Sequence, residues 1–224
     1  MSRVVEIKGV SCRLMETRTV IDNIDLTLSS GEKVLIAVPP ASGWGLALIG
    51  LASGLIRPDT GVINLFGVPL SGLDKARLNA FRKRIGFVFQ DAALISNLKA
   101  IENAALPLLY HSEFSYAGCL LRAAALLEDV GFKEDLWALP GPLPVHAKKE
   151  VALASALSLG PEAILCDNLT DGLTPGEKIK IAGLLDGYSR KSGALMVIIA
   201  YSDADTDLFK PDRVLRVEGS TLSG

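Results

Sequence analysis

The sequence predicts an α/β fold with a parallel sheet core, an N-terminal antiparallel β subdomain and an inserted helical subdomain. Three observations carry that expectation. Residues 31–61 have the frame of a phosphate-binding loop: Gly31-Glu32-Lys33, an apolar strand from Val34 to Val38, a Pro/Gly/Ser loop, a helix, then Arg57-Pro58-Asp59-Thr60-Gly61. Strands alternate with helices again from Ala163 onward. Between about 92 and 159 the pattern is helical alone, which places the inserted subdomain there and leaves 1–91 and 160–224 as the core of one domain.

In chain order, Val4 to Ile7 reads as a strand, followed by a polar turn around Glu16-Thr17. Val20 to Leu28 reads as its partner, with Ile24, Leu26 and Leu28 alternating against Asn23, Asp25 and Thr27. After the loop and its helix, Gly61 to Gly67 is a short strand between turn glycines. Arg82-Lys83-Arg84 leads into a buried strand, Ile85 to Phe89, closed by Gln90-Asp91. Ser115 to Val130 is an amphipathic helix ended by Gly131, and Lys148 to Leu159 is another, stopped by Gly160-Pro161. Ala163 to Cys166 is a strand that ends on Asp167. Thr174-Pro175-Gly176-Glu177 opens a helix with a capping box and proline at its first position. Leu195 to Ala200 is a strand, and Val214 to Val217 with Thr221-Leu222 form a closing hairpin.

The balance of 23 basic against 25 acidic residues gives a net charge of -2 and offers no nucleic-acid surface. Cys12, Cys119 and Cys166 have no metal-ligand spacing and read as small core hydrophobes in a reducing cytosol. The first residues lack the apolar core of a signal peptide. The uncharged stretch Val34 to Ile56 is long enough to span a bilayer, but Pro39, Pro40 and the small residues Ala41 to Gly45 break it into strand and helix.

The loop itself lacks the chemistry its frame implies. A phosphate loop of the form G-x-x-x-x-G-K-[ST] places a lysine on the β- and γ-phosphates and a hydroxyl on magnesium. Here the segment runs Val38-Pro39-Pro40-Ala41-Ser42-Gly43-Trp44-Gly45-Leu46, with Trp44 in the lysine slot and Gly45 in the hydroxyl slot. Ser42, Gly43, Trp44, Gly45 and Leu46 still offer backbone amides at a helix N-terminus, where an anion nest forms.

Several further markers recur in fixed order: Phe89-Gln90 with Glu102-Asn103, then Val151 to Leu157. They are followed by the strand ending at Asp167, Thr170-x-Gly172-Leu173-x-Pro175, and Asp212-Arg213-Val214-Leu215. With the loop frame, they make the whole chain resemble the P-loop NTPase-like nucleotide-binding domain of ABC transporters. What the resemblance implies position by position is a degenerate site. The general base after Asp167 is replaced by Asn168, an amide that cannot take a proton. The signature loop aligns with Leu143-Pro144-Val145-His146-Ala147, where Pro144 lacks an N–H and Val145 and His146 add bulk. The switch histidine is Ser202, the D-loop aspartate is Thr174, and the adenine-stacking aromatic is Leu14. Gln90 and Asp167 remain, so any residual nucleotide binding falls on Ser42 to Leu46, Gln90 and Asp167.

Trp44 reads as a plug of an emptied pocket, and Asp167 as a strand-end acceptor in place of a metal ligand. Neither His146 nor His111 has a carboxylate or cysteine partner at useful spacing, so both read as solvated, as does Arg82-Lys83-Arg84. The resemblance implies a groove for a transmembrane permease subunit around Gln90, Ala93, Leu94, Ile95 and Leu98. The wording Phe-Gln-x-x-Ala-Leu with Glu-Asn-x-Ala-x-Pro-Leu also resembles the ATPases of bacterial lipid-trafficking systems that work with MCE-domain proteins. The expected protein is a catalytically degenerate ATP-binding subunit, peripheral on the cytoplasmic face of a membrane. It would act structurally or as a regulator of lipid transport, as a homodimer or beside another ATPase subunit. No metal or catalytic residue is expected, and no cofactor beyond weak ATP/Mg. The alternatives are an ATP-hydrolysing subunit and a module binding a small ligand in the remodelled pocket.

Overall fold

The computed structural model describes residues 2–14, 19–202 and 204–224; the turn expected around Glu16-Thr17 lies outside them. Two sheets carry the fold. In the first, β1 (Arg3–Leu14) pairs antiparallel with β2 (Thr19–Ser29) on one side and β4 (Thr60–Leu65) on the other, and β5 (Val68–Pro69) closes the edge. The second is ordered β10-β9-β3-β8-β7-β6. In it β3 (Lys33–Ala37), β6 (Ile85–Val88), β7 (Ala163–Asp167), β8 (Leu195–Ala200) and β9 (Arg213–Glu218) run parallel, while β10 (Thr221–Ser223) returns antiparallel to β9. The expected α/β core with an antiparallel β subdomain is therefore present.

The middle strands are apolar on both faces, as parallel strands covered by helices must be. Alternation with a period of two sends Leu165, Val197 and Ile199 into one cluster, with β1, β2 and α1 (Trp44–Ala52). It sends Ile164, Cys166, Met196 and Ile198 into a second, with α3 (Ala100–His111), α4 (Tyr116–Asp129), α5 (Val145–Leu157) and α6 (Pro175–Ser192). All three cysteines are buried thiols. No helix among the described residues is long and apolar enough to cross a membrane.

Some boundaries differ from expectation for local reasons. Helix α5 begins at Val145 rather than Lys148, because Pro144 takes the N-cap with extended backbone and leads straight into the first turn. Two short helices escape the sequence pattern. In α2 (Lys75–Arg82) no residue is buried, so there is no apolar stripe to read, although Asp74 caps it. The other is α7 (Ala204–Phe209). The capping box on α6 forms as expected: Glu177 accepts from Thr174 N at 2.7 Å, and Thr174 Oγ1 accepts from Glu177 N at 3.4 Å.

The basic run at 82–84 is not simply solvated, which corrects the expectation. Arg82 Nε donates to the Ser53 carbonyl at 3.0 Å. Arg84 clamps both oxygens of Glu162 at 2.6 and 2.8 Å and lies 3.6 Å over the Phe66 ring. The planar guanidinium thus ties the two sheets and the start of β7 together.

A second tie holds the helices. Glu150 of α5 is buried, and Lys180 of α6 donates to its carboxylate at 2.5 Å and to the Gly131 carbonyl, just beyond α4, at 2.9 Å. Lys180→Met strands that carboxylate without a partner. It is expected to cost about 3 kcal/mol in a urea titration monitored by circular dichroism. A loss below measurement error would remove the pair from the forces holding α4, α5 and α6.

Candidate functional site

The loop after β3 keeps the backbone form of an anion nest. Ala41 and Gly43 have φ of 55° and 72°, both left-handed, and Gly43 N-caps α1 without a side chain. Ser42 N donates to the Pro39 carbonyl at 3.3 Å, and Thr19 Oγ1 donates to the Ser42 carbonyl at 2.7 Å, so the start of β2 pins the loop. Side chains reverse its character. Trp44 is 2% exposed and belongs to the same apolar cluster as Val34 and Ile36, against which Leu14 also packs. Leu46 is half exposed, and no cationic side chain lies on residues 38–46.

The carboxyl ends of β3, β7 and β8 meet beside this loop. Asp167 is buried, and a Cβ on Gly45 would stand 2.5 Å from its Oδ1 and 2.8 Å from the Tyr201 hydroxyl. Only glycine fits there. The Tyr201 hydroxyl lies close to the Asp167 carboxylate; burial, together with that charge, pushes its phenol up to about 12. Burial also raises the Asp167 carboxyl above its ordinary range, against the Tyr201 hydroxyl and the Lys149 charge, which lower it. Lys149, on the second turn of α5, is fully buried and donates to the Asn168 carbonyl at 3.3 Å. Burial lowers its pKa, while the charges of Asp171, Asp167 and Asp91 work the other way. Asn168 has φ of 44°, a left-handed conformation that asparagine tolerates better than most residues.

The signature positions sit at the start of α5. Pro144 is its N-cap, Val145 is exposed, and a Cβ on Gly172 would be 3.3 Å from Val145 Cγ1. His146 is not the solvated residue expected: its Nδ1 is 2.9 Å from Glu177 Oε1, a partner that the fold supplies from α6. Glu177 also takes both Thr174 bonds, and the Thr174 backbone N–H, first among several causes, holds its carboxyl below the usual range. Ser202 is exposed beside a shallow cleft of about 300 Å³ that Pro39, Tyr201 and Arg216 also line.

Gln90 is tied to the same region, its Nε2 donating to Asp171 Oδ2 at 3.1 Å. The segment behind it turns sharply, with Ala92 and Ala93 both left-handed at φ of 64° and 48°. Ala93 and Ile95 are exposed; Leu94 and Leu98 are half-buried, and Leu94 packs on the helical cluster. Buried Asn103 fixes this shape: its Oδ1 accepts from Ile95 N at 2.8 Å, and its Nδ2 donates to the Ile95, Leu98 and Lys99 carbonyls.

Lys149 and Tyr201 were missed from sequence. Lys149 reads as one of two lysines on a helix, and Tyr201 as the tail of an apolar strand; only the fold brings both to Asp167. The available signal was a charged residue on the apolar side of α5, next to Val151 to Leu157. Among the described residues there is no group of three or more His, Cys, Asp or Glu that would hold a metal.

The family model for ABC transporters matches residues 21–171. The chain is 34% identical over 92% of its length to the lipoprotein-releasing system ATP-binding protein LolD of Chromohalobacter salexigens, covering 85% of that protein. It is 34% identical over 98% of its length to the methionine import ATP-binding protein MetN of Brucella abortus, but spans only 58% of it. Its fold is similar to that of the ATP-binding cassette MJ0796, solved as a dimer in a post-hydrolysis state with ADP and phosphate. The TM-score is 0.88 at 26% identity, covering 98% of this chain and 97% of that one.

Two outcomes test this geometry. A carboxyl whose folded pKa is raised binds its proton more tightly in the native state. Its stabilising contribution is therefore complete below the ordinary value of 3.8 and is lost as pH rises through the folded pKa. Asp167→Asn is accordingly expected to melt higher than wild type at neutral pH by a few degrees, with the gain vanishing below 3.8. A gain that persists in acid would refute the burial account. Asn103→Ala is expected to cost about 1–3 kcal/mol and to speed amide exchange across 95–99; unchanged exchange there would contradict the assigned role.

Proposed function

The chain belongs to the ABC transporter family of ATP-binding domains, and from that premise we propose that it is a non-hydrolysing member, a pseudo-ATPase. In this reading it serves a membrane transport complex as a structural or regulatory subunit. The observation that carries the reading is Trp44, buried in the apolar core at the position where the family's phosphate loop needs its lysine. Losing a desolvated charge partner to triphosphate costs about 2–5 kcal/mol. The neighbouring charges add to that: Asp91, Asp167 and Asp171 face the site, and the cation among them, Lys149, is buried away from solvent. Asn168 holds no proton-accepting carboxylate for water attack. Pro144 and Val145 support the same reading from the other side, since a signature loop must bring bare backbone amides to a phosphate. What nucleotide affinity survives rests on the amides of Ser42 to Leu46, is weak, and leads to no turnover.

The partner in this reading is a transmembrane permease subunit, with the chain peripheral on the cytoplasmic face. Its docking surface is the segment from Gln90 to Leu98, whose Ile95 is exposed and whose backbone Asn103 holds in place. A second cassette subunit, identical or not, completes a dimer, as in the solved dimer of MJ0796. Among the cargoes that the relatives' names mention, this reading takes lipid or lipoprotein, because the wording of residues 89–94 and 102–108 resembles that of lipid-trafficking ATPases and a lipoprotein-releasing protein is among the relatives. The competing reading is an ordinary ATPase subunit, and what favours it is the preserved backbone of the loop, with Ala41 and Gly43 left-handed ahead of α1.

Phosphate release from Mg-ATP by the purified chain, with a calorimetric titration of the same sample, decides between them. The expected outcome is release at the buffer background and no saturation below millimolar nucleotide. Turnover at a rate typical of enzymes, on the order of 1 per second or more, would sink the pseudo-ATPase reading outright.

A further inference from the structure

Where an ABC ATPase holds a divalent cation, this chain presents groups of its own. Magnesium requires oxygen ligands at about 2.0–2.1 Å in near-octahedral array and keeps several waters. The residues here do not fit it. Gly45 brings no hydroxyl, and a side chain there would run into Asp167 Oδ1 and the Tyr201 hydroxyl. The phenol therefore stands in the space that a ligating serine and its metal would share. Asp167 Oδ1 is buried without a hydrogen-bond partner, so that oxygen is left to the field of nearby charges alone. The positive charge in that field is Lys149. It is 2% exposed, its Nζ is held by the carbonyl of Asn168, the residue next to Asp167, and its charge acts on Asp171, Asp167 and Asp91 at longer range than a direct ion pair. A buried ammonium costs several kcal/mol unless carboxylates compensate it. Here the carboxylates around it are those a metal would otherwise neutralise.

We infer that Lys149 and Tyr201 together replace the divalent cation, so that Asp167 belongs to an internal, metal-free ion cluster from which Mg²⁺ and its congeners are excluded. Lys149 supplies the charge and Tyr201 the volume. The inference rests on the non-hydrolysing reading above and extends it: any nucleotide that does bind at the loop does so without metal.

The probe is Mn²⁺, followed by electron paramagnetic resonance on the full chain. Wild type is expected to show no manganese site that depends on Asp167. Gly45→Ser together with Tyr201→Thr removes the phenol and adds a hydroxyl, leaving the Asp167 carboxylate to turn aside from the new Cβ. This double variant is expected to bind Mn²⁺ roughly 10–100-fold more tightly than wild type, and adding Asp167→Asn is expected to abolish that site. Melting temperatures guard against a folding artefact. Gly45→Ser alone should melt lower than wild type, because its Cβ meets Asp167 Oδ1 and the Tyr201 hydroxyl, and Tyr201→Thr should recover the tyrosine's share of that loss. The rescue checks the shared space, and the manganese affinity checks what fills it. Two results would overturn the inference: wild-type Mn²⁺ binding that Asp167→Asn removes, or a folded double variant that gains no affinity. Manganese binding by wild type without phosphate release counts against this inference alone. Phosphate release counts against the proposed function as well.

Discussion

Strands β7 and β8 are buried along their whole length, and their alternate side chains feed two separate apolar clusters. A parallel sheet closed on both faces leaves no place for polar chemistry except where its strands end. Asp167 is the last residue of β7, and Tyr201 follows directly after β8. The phosphate loop leaves β3 at the same edge, and β3 is paired with β8 along its full length. These groups are neighbours because the sheet register makes them so. Helix α5 packs on the far cluster and carries Lys149 up from beneath, and this explains how a lysine comes to be buried so close to a carboxylate.

Much of the fold was legible because its signals are local. The capping box at Thr174, the turn glycines, the alternating strand at Val20 to Leu28 and the apolar runs of β7 and β8 each depend on residues a few positions apart. The absent lysine at Trp44 was equally plain, since a motif names its own slots. What could not be read were pairings that span the chain. His146 meets Glu177, Arg84 meets Glu162 and Phe66, and Lys149 meets the field of Asp167 only after the sheet has closed. A helix such as α2, which buries nothing, leaves no periodicity to find.

The site's stability and its chemistry pull in one direction here. Catalytic pockets ordinarily store destabilised groups, because charge, space and exposed amides are what reaction requires. In this chain an indole fills the lysine position and joins the core, while a phenol closes on the remaining aspartate. What remains costly is the buried carboxylate of Asp167, with one oxygen unpartnered. On the proposed reading, these side chains fill the pocket and leave Asp167 as its buried polar remnant.

The four hydrogen bonds of Asn103 carry a consequence of another kind. They set the course of residues 95–99 from within α3, with no contribution from the phosphate loop or from Asp167. The segment proposed to dock a partner and the sheet edge that carries Asp167 are therefore built from separable parts of the chain. A lineage can let one decay without disturbing the other. On the proposed reading, substitutions at the sheet edge leave the shape of 95–99 alone as long as the asparagine stays, and loss of a reaction does not entail loss of an assembly.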